Sequence, residues 1–258
     1  MGIEKKPIGV FDSGLGGISV LKRLYQLMPN ERFLYFGDSA NAPYGEKDRG
    51  WILERSREIS KYLIEDNFAK ALVVACNTAT SVACAALREE YRDIPVIGLE
   101  PALKPAVESD DDGAVVVMAT PVTLSGEKFS ALLDRFKEKK EIIIVPAPKV
   151  VDFVENGVYG GEELEEYLEG LFSPYKDRKI ASVVLGCTHF PFVRESIENV
   201  TGNVKFYDGA FGTARETLRR LEEKDLLTKK RGGGILFRNS IPGDEMIYRS
   251  MELFRREI

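Results

Sequence analysis

The chain holds one histidine, one tryptophan and three cysteines among 258 residues. No Cys-x-x-Cys pair occurs, which argues against a dithiol redox centre, and three thiols cannot build a disulfide scaffold. Free thiols fit a reducing compartment, so a cytoplasmic location is expected. A zinc site would need Cys76, Cys187 and His189 together with a fourth ligand for which there is no candidate. No apolar run is long enough to span a bilayer, and the N-terminus has no signal-peptide core. An acylation motif starting at Gly2 fails at Lys6, where Ser or Thr is required. Basic excess is also missing: 36 Lys and Arg stand against 41 Asp and Glu, a net charge of −5. Nothing is left over to neutralise a phosphate backbone, and the densest basic spot, Lys229-Lys230-Arg231, reads as a solvated turn. Neither nucleic acid nor membrane is expected as a partner.

What is present is alternation. An apolar fraction of 44% with 30% charged residues suits a soluble globular chain. Strand patterns at 7–11, 33–36, 71–75 and 96–97 alternate with helical spacing over 18–27, 51–67 and 79–91. The pattern then restarts. Strands are expected at 114–118, 141–145 and 180–185, with a helix to about 137 and others at 150–155 and 162–172. A strand at 204–207, a helix at 213–226, a strand at 235–237 and a helix at 244–254 complete the chain.

Two segments look alike. Val73-Val74-Ala75-Cys76-Asn77-Thr78 and Val183-Val184-Leu185-Gly186-Cys187-Thr188-His189 each run from a β-branched strand through a small residue to a thiol and then to hydrogen-bonding side chains. Cys76 and Cys187 are 111 residues apart, and Asp12 and Thr120, each just past an early strand, are 108 apart. Near-equal offsets mark an internal duplication. The expected fold is α/β, with two similar domains of largely parallel sheet related by a pseudo-twofold axis and an active site in the cleft between them. The tail has no counterpart in the second half and is expected to pack back on the first. The domains are then 1–98 plus 208–258, and 99–207.

A thiol at a strand end before a helix N-terminus has its pKa lowered and its thiolate favoured. Two opposed thiols, one a thiolate base and the other a thiol acid, can remove a proton from one face of a carbon acid and return it to the other, giving the mirror image. The competing reading is that both cysteines merely pad strand ends, as buried Cys often does. Cys84 lies among Ala79, Ala83 and Leu87 on an apolar helix face and reads as core. The turn Asp12-Ser13-Gly14-Leu15-Gly16-Gly17 mimics a dinucleotide fingerprint, with Asp38 as the would-be ribose acid, but Ser19 stands at the third glycine position. A small-ligand turn, with Ser13 and backbone N–H groups holding a carboxylate, fits better; helix capping by Asp12 or Ser13 is the alternative. His189 could stabilise a Cys187 thiolate as a cation, or protonate it. Asn77, Thr78 and Thr188 are donors suited to an α-carboxylate, or helix caps.

With these residues in place, the chain closely resembles the glutamate racemases of the aspartate/glutamate racemase superfamily. The resemblance rests on Phe11-Asp12-Ser13-Gly14-Leu15-Gly16-Gly17, Gly37-Asp38 with Pro43-Tyr44-Gly45, Ala75-Cys76-Asn77-Thr78-Ala79, Gly98-Leu99-Glu100-Pro101, Leu185-Gly186-Cys187-Thr188-His189-Phe190-Pro191 and Asp208-Gly209, in that order along nearly the whole chain. Ala119 departs from the glycine common before Thr120. The resemblance implies interconversion of L- and D-glutamate to supply D-glutamate for peptidoglycan, by two thiols, without pyridoxal phosphate, metal or other cofactor. It implies Cys76 and Cys187 as the proton-transfer groups, Asp12 and His189 assisting them, and Glu155 behind His189. Ser13, Pro43, Tyr44, Gly45, Asn77, Thr78, Thr120 and Thr188 would line the substrate pocket with them. A homodimer is implied as well. The chain begins almost at its first strand, so activation by a cell-wall precursor, which in this family goes with an N-terminal extension, is not expected. Aspartate or a related amino acid is the alternative substrate, since one methylene separates it from glutamate. A non-catalytic regulator that binds DNA gyrase is the alternative from another class.

Overall fold

A computed structural model describes residues 6–100 and 102–258. The first five residues, including Gly2, and Pro101 of the 98–101 motif lie outside them. The first half runs β1 (Ile8–Asp12), α1 (Ile18–Leu27), β2 (Arg32–Gly37), α2 (Arg49–Lys61), β3 (Ala71–Val74), α3 (Asn77–Glu90) and β4 (Val96–Gly98). The second runs α4 (Leu103–Val107), β5 (Ala114–Ala119), α5 (Pro121–Leu124), α6 (Glu127–Phe136), β6 (Ile142–Pro146), α7 (Lys149–Glu155), α8 (Glu162–Phe172), β7 (Ile180–Leu185), α9 (Arg194–Thr201) and β8 (Lys205–Asp208). A tail of α10 (Ala210–Glu223), β9 (Gly234–Asn239) and α11 (Glu245–Arg255) follows.

Two wholly parallel sheets result, one ordered β4-β3-β1-β2-β9 and the other β6-β5-β7-β8. Read in reverse, the second order is β8-β7-β5-β6, and it superposes in sequence order on β4-β3-β1-β2. The internal duplication is therefore visible strand by strand, with β9 as the one addition. Strands β1, β3 and β5 are buried along their whole length, as parallel strands covered on both faces must be. β9 pairs with β2 from Arg32↔Gly234 to Gly37↔Asn239, and α10 packs on α1.

Several elements differ from the expected bounds for identifiable reasons. α2 starts at Arg49 because the Asp48 carboxylate caps it, accepting from the Gly50 and Trp51 amides. Its last turn widens into a π-turn over Tyr62–Asp66. α3 begins at Asn77 because Cys76 is its N-cap, with Sγ accepting from the Ala79 amide at 3.4 Å. The single helix expected through residue 137 is two, broken where Gly126 is extended. After Cys187 the α-helix is delayed to Arg194 by a 3-10 turn, Phe190–Val193, that carries Pro191. Among the described residues no helix is long and apolar enough to cross a membrane.

Candidate active site

The site forms where the carboxyl ends of β1 and β3 meet those of β5 and β7. At the end of β1, Asp12 Oδ2 accepts from the Gly14 amide at 2.9 Å and closes the glycine turn. Its other oxygen accepts from Thr188 Oγ1 at 3.1 Å, so one carboxylate spans the two halves. The glycines of this turn have a steric cause. A Cβ at Gly14 would strike the Glu155 carboxylate, and one at Gly16 would strike the His189 ring and the Thr188 hydroxyl. The fingerprint-like turn thus makes room for side chains of the opposite half rather than for a pyrophosphate.

Cys76 follows β3 and Cys187 follows β7. The Cys76 thiol donates to Ser13 Oγ at 3.7 Å. Cys187 Sγ stands 3.6 Å from His189 Nδ1, and His189 Nε2 stands 2.7 Å from Glu155 Oε1, at the end of α7. The Leu15 amide also donates to Glu155 Oε1, at 2.5 Å. Cys76 is 5% exposed and Cys187 8%, so both thiols are buried. Among the described residues no group of three or more His, Cys, Asp or Glu is placed to hold a metal.

The remaining expected residues fall into two neighbouring clusters. Thr78 and Thr120 hydroxyls are 3.1 Å apart, and Gly45 lies directly against Thr120. Tyr44, led in by the extended Pro43, donates its hydroxyl to Asp38 Oδ2 at 2.6 Å. Asn77 is buried beside Cys76, and its Oδ1 has no hydrogen-bond partner. A buried acceptor left unpaired costs on the order of 1–3 kcal/mol, which a ligand donor would recover.

The sequence reading missed Thr123, whose hydroxyl lies 3.1 Å from Thr120 Oγ1 and 3.4 Å from that of Thr78. Its spacing of three from Thr120 at a helix start was a usable signal, since such positions share a helix face. It also missed Arg55. That guanidinium grips Asp38 with two bonds of 2.7 and 2.8 Å and so fixes the acceptor of the Tyr44 hydroxyl. Only the fold brings these residues together.

The charges are unequal. Burial, then the Asp12 charge, push the Cys76 thiol up to about 12. This corrects the expectation of a lowered thiol: the α3 amide favours the thiolate, but dehydration and an adjacent carboxylate outweigh it. Burial opposes a charge on His189, yet its bonds to Cys187 and Glu155 hold it well above the ordinary imidazole value. Burial likewise acts against Glu155, but the bond from His189 brings it below the ordinary carboxyl value. Asp12 is raised by burial, which outweighs the lowering by His189 and the Gly14 amide.

Residues 20–217 match the Asp/Glu/hydantoin racemase family. A glutamate racemase of Clostridium perfringens is 48% identical over 254 residues, covering 97% of both chains. A crystal structure of glutamate racemase from Francisella tularensis in complex with D-glutamate superposes with a TM-score of 0.84 at 30% identity, covering 99% of this chain and 95% of that one. The Escherichia coli glutamate racemase, in complex with L-glutamate and the activator UDP-MurNAc-Ala, superposes at 0.83 with 31% identity over 96% and 95%. The chain belongs to the Asp/Glu/hydantoin racemase family and is an amino-acid racemase, an isomerase.

Proposed function

We propose that this racemase interconverts L- and D-glutamate by proton transfer between Cys76 and Cys187, with no cofactor. The observation that carries the reading is the opposed chemistry at the two strand ends. A cationic His189 stands 3.6 Å from Cys187, while burial and Asp12 keep Cys76 a thiol. A two-base racemisation needs one group of each kind. The Cys187 thiolate takes the α-hydrogen from one face as a proton, and the bond's electron pair stays on carbon. The Cys76 thiol then gives its proton to the opposite face, leaving a thiolate at Cys76 and a thiol at Cys187. The reverse reaction exchanges the roles. Glu155 holds His189, and Asp12 holds the Thr188 side of the cleft. Asn77 Oδ1 would accept from the substrate ammonium. The Ser13, Thr78, Thr120, Thr123 and Thr188 hydroxyls, the Gly45 amide and the Tyr44 wall would receive the two carboxylates. Burial of both thiols limits water around them, which strengthens each of these contacts.

Glutamate is favoured over aspartate by the relatives, two of which are structures holding glutamate. The same kinship supports a supply of D-glutamate for peptidoglycan, a cytoplasmic location and a homodimer as parts of this reading. A division into 1–98 plus 208–258 and 99–207 is supported by β9 and α10 joining the first half.

The test is incubation with L-glutamate in deuterated water, without added cofactor, following optical rotation and loss of the α-hydrogen. Racemisation with deuterium at the α-carbon, absent in Cys76→Ser and Cys187→Ser, supports the reading. Exchange with aspartate alone, or with neither amino acid, overturns it.

A further inference from the structure

We infer that the C-terminal segment β9–α11, through Arg249 and Asn239, is a positioning clamp on the Glu155–His189 pair and so acts on the Cys187 side of the site. The inference rests on the proposed role of that pair. Glu155 is the last residue of α7, where helix carbonyls lack an internal partner. Its carbonyl oxygen accepts from Arg249 Nη2 at 2.5 Å, across 94 residues of chain. Gly157, with φ +81, brings the backbone within reach: a Cβ there would lie 3.2 Å from the same guanidinium nitrogen. The other end of Glu155 is held too. The Ser39 side chain helps to lower the Glu155 carboxyl, and Ser39 Oγ accepts from Asn239 Nδ2 at 3.0 Å, at the end of β9. Ser240 accepts from the Ala40 amide at 3.0 Å beside it. One short stretch of tail therefore fixes both the main chain and the side chain of the residue that orients His189.

A second contact reaches the histidine's own turn. The Arg249 charge lowers Tyr159, the Arg256 guanidinium lies 4.7 Å from the Tyr159 ring centroid, and that ring packs on Phe192. The Phe192 amide donates to the His189 carbonyl at 3.1 Å. The neighbours of Cys76, Ser13 and Asp12, belong to β1 and its turn. The charged and titratable groups facing the pair are Cys187 and Asp12 at the imidazole, and Asp12, Asp152 and Tyr35 around the carboxylate. Arg249 touches none of the reacting atoms and is a positioning residue.

The chain's sole histidine makes the test direct, because its ring signals in an NMR titration are unambiguous. In Arg249→Ala, kcat should fall about tenfold with KM little changed, a modest share of what acid–base positioning contributes. The His189 titration should move down toward the ordinary imidazole value. Arg249→Lys should recover most of both. Asn239→Ala should shift both in the same sense by less, and it carries the test should Arg249→Ala not fold. A folded Arg249→Ala with native kcat and an unmoved titration overturns the clamp, as does a rate loss with an unmoved titration, which marks plain helix capping. Glu155→Gln separates the two levels. A change there without one in the tail variants sinks the clamp alone, whereas no change at Glu155→Gln sinks the role of the pair and the clamp with it.

Discussion

Cys76 and Cys187 end equivalent strands in two sheets of matching order, yet the chain surrounds them differently. Cys76 caps a full α-helix, bonds a neutral hydroxyl and lies in the field of the Asp12 carboxylate. Cys187 precedes a tight turn and faces an imidazole backed by a second carboxylate. Duplication placed the thiols in equivalent positions, and different side chains surround them. In the proposed reaction the symmetry lies in substrate and product, and the two groups need only exchange states with each turnover.

Removing either sulfur is the severest way to break this pairing. Cys76→Ala and Cys187→Ala should each lower racemisation by roughly 10³-fold or more, measured by circular dichroism of the product, because the two groups act as a unit. His189→Asn should cost roughly 10²-fold in racemisation, since the side chain facing Cys187 is removed. Alkylation of Cys76, followed by mass spectrometry, should keep climbing in rate toward pH values near its raised value of about 12. A Cys76 profile that levels off near the ordinary thiol value would contradict the effect of burial and Asp12.

Smaller effects sharpen the first-half side. Arg55→Ala frees Asp38 and with it the Tyr44 hydroxyl, so KM should rise several-fold with a lesser change in kcat, as expected when a binding wall rather than a proton donor is loosened. Asp12→Asn should move Cys76 alkylation to lower pH, since the neighbouring negative charge is gone. It also has a consequence for stability. Asp12 has a raised folded-state pKa, so the native chain binds its proton more readily than the unfolded chain does. Ionisation therefore weakens the fold as pH rises from about the ordinary carboxyl value through the raised one, and the cost is fully present above both. Asp12→Asn should melt higher than the native chain at pH 7, with the gap closing as pH falls through the raised value and gone once it is below the ordinary carboxyl value. A lower melting temperature at pH 7 would show that the Thr188 and Gly14 bonds outweigh the buried charge.

Much of this was readable in one dimension because it depended on short-range pattern. The β-branched runs before Cys76 and Cys187 announced buried parallel strands, and the 111- and 108-residue offsets announced the repeat. The site residues next to the cysteines came with them. What stayed hidden was set by contacts between distant segments. The sequence marks Gly14 and Gly16 as a turn for a small ligand, but not that they make room for Glu155 and His189, which lie more than 130 residues away in the chain. Arg55 reads as one of many surface charges until the fold sets it on Asp38. The thiol on Cys76 was misjudged for the same reason: local sequence shows the helix dipole that lowers it, but not the burial that raises it.

The parallel pairing of β2 with β9 has a bearing on how the protein is made. A ribosome adding roughly 5–20 residues per second releases β2 well before β9 exists, and the edge of the first sheet stays unpaired for that interval. The second sheet, whose strands run consecutively from β5 to β8, can close while the chain is still attached. The second sheet can therefore be completed before the first, and β9, made after both halves, seals the sheet begun by β1.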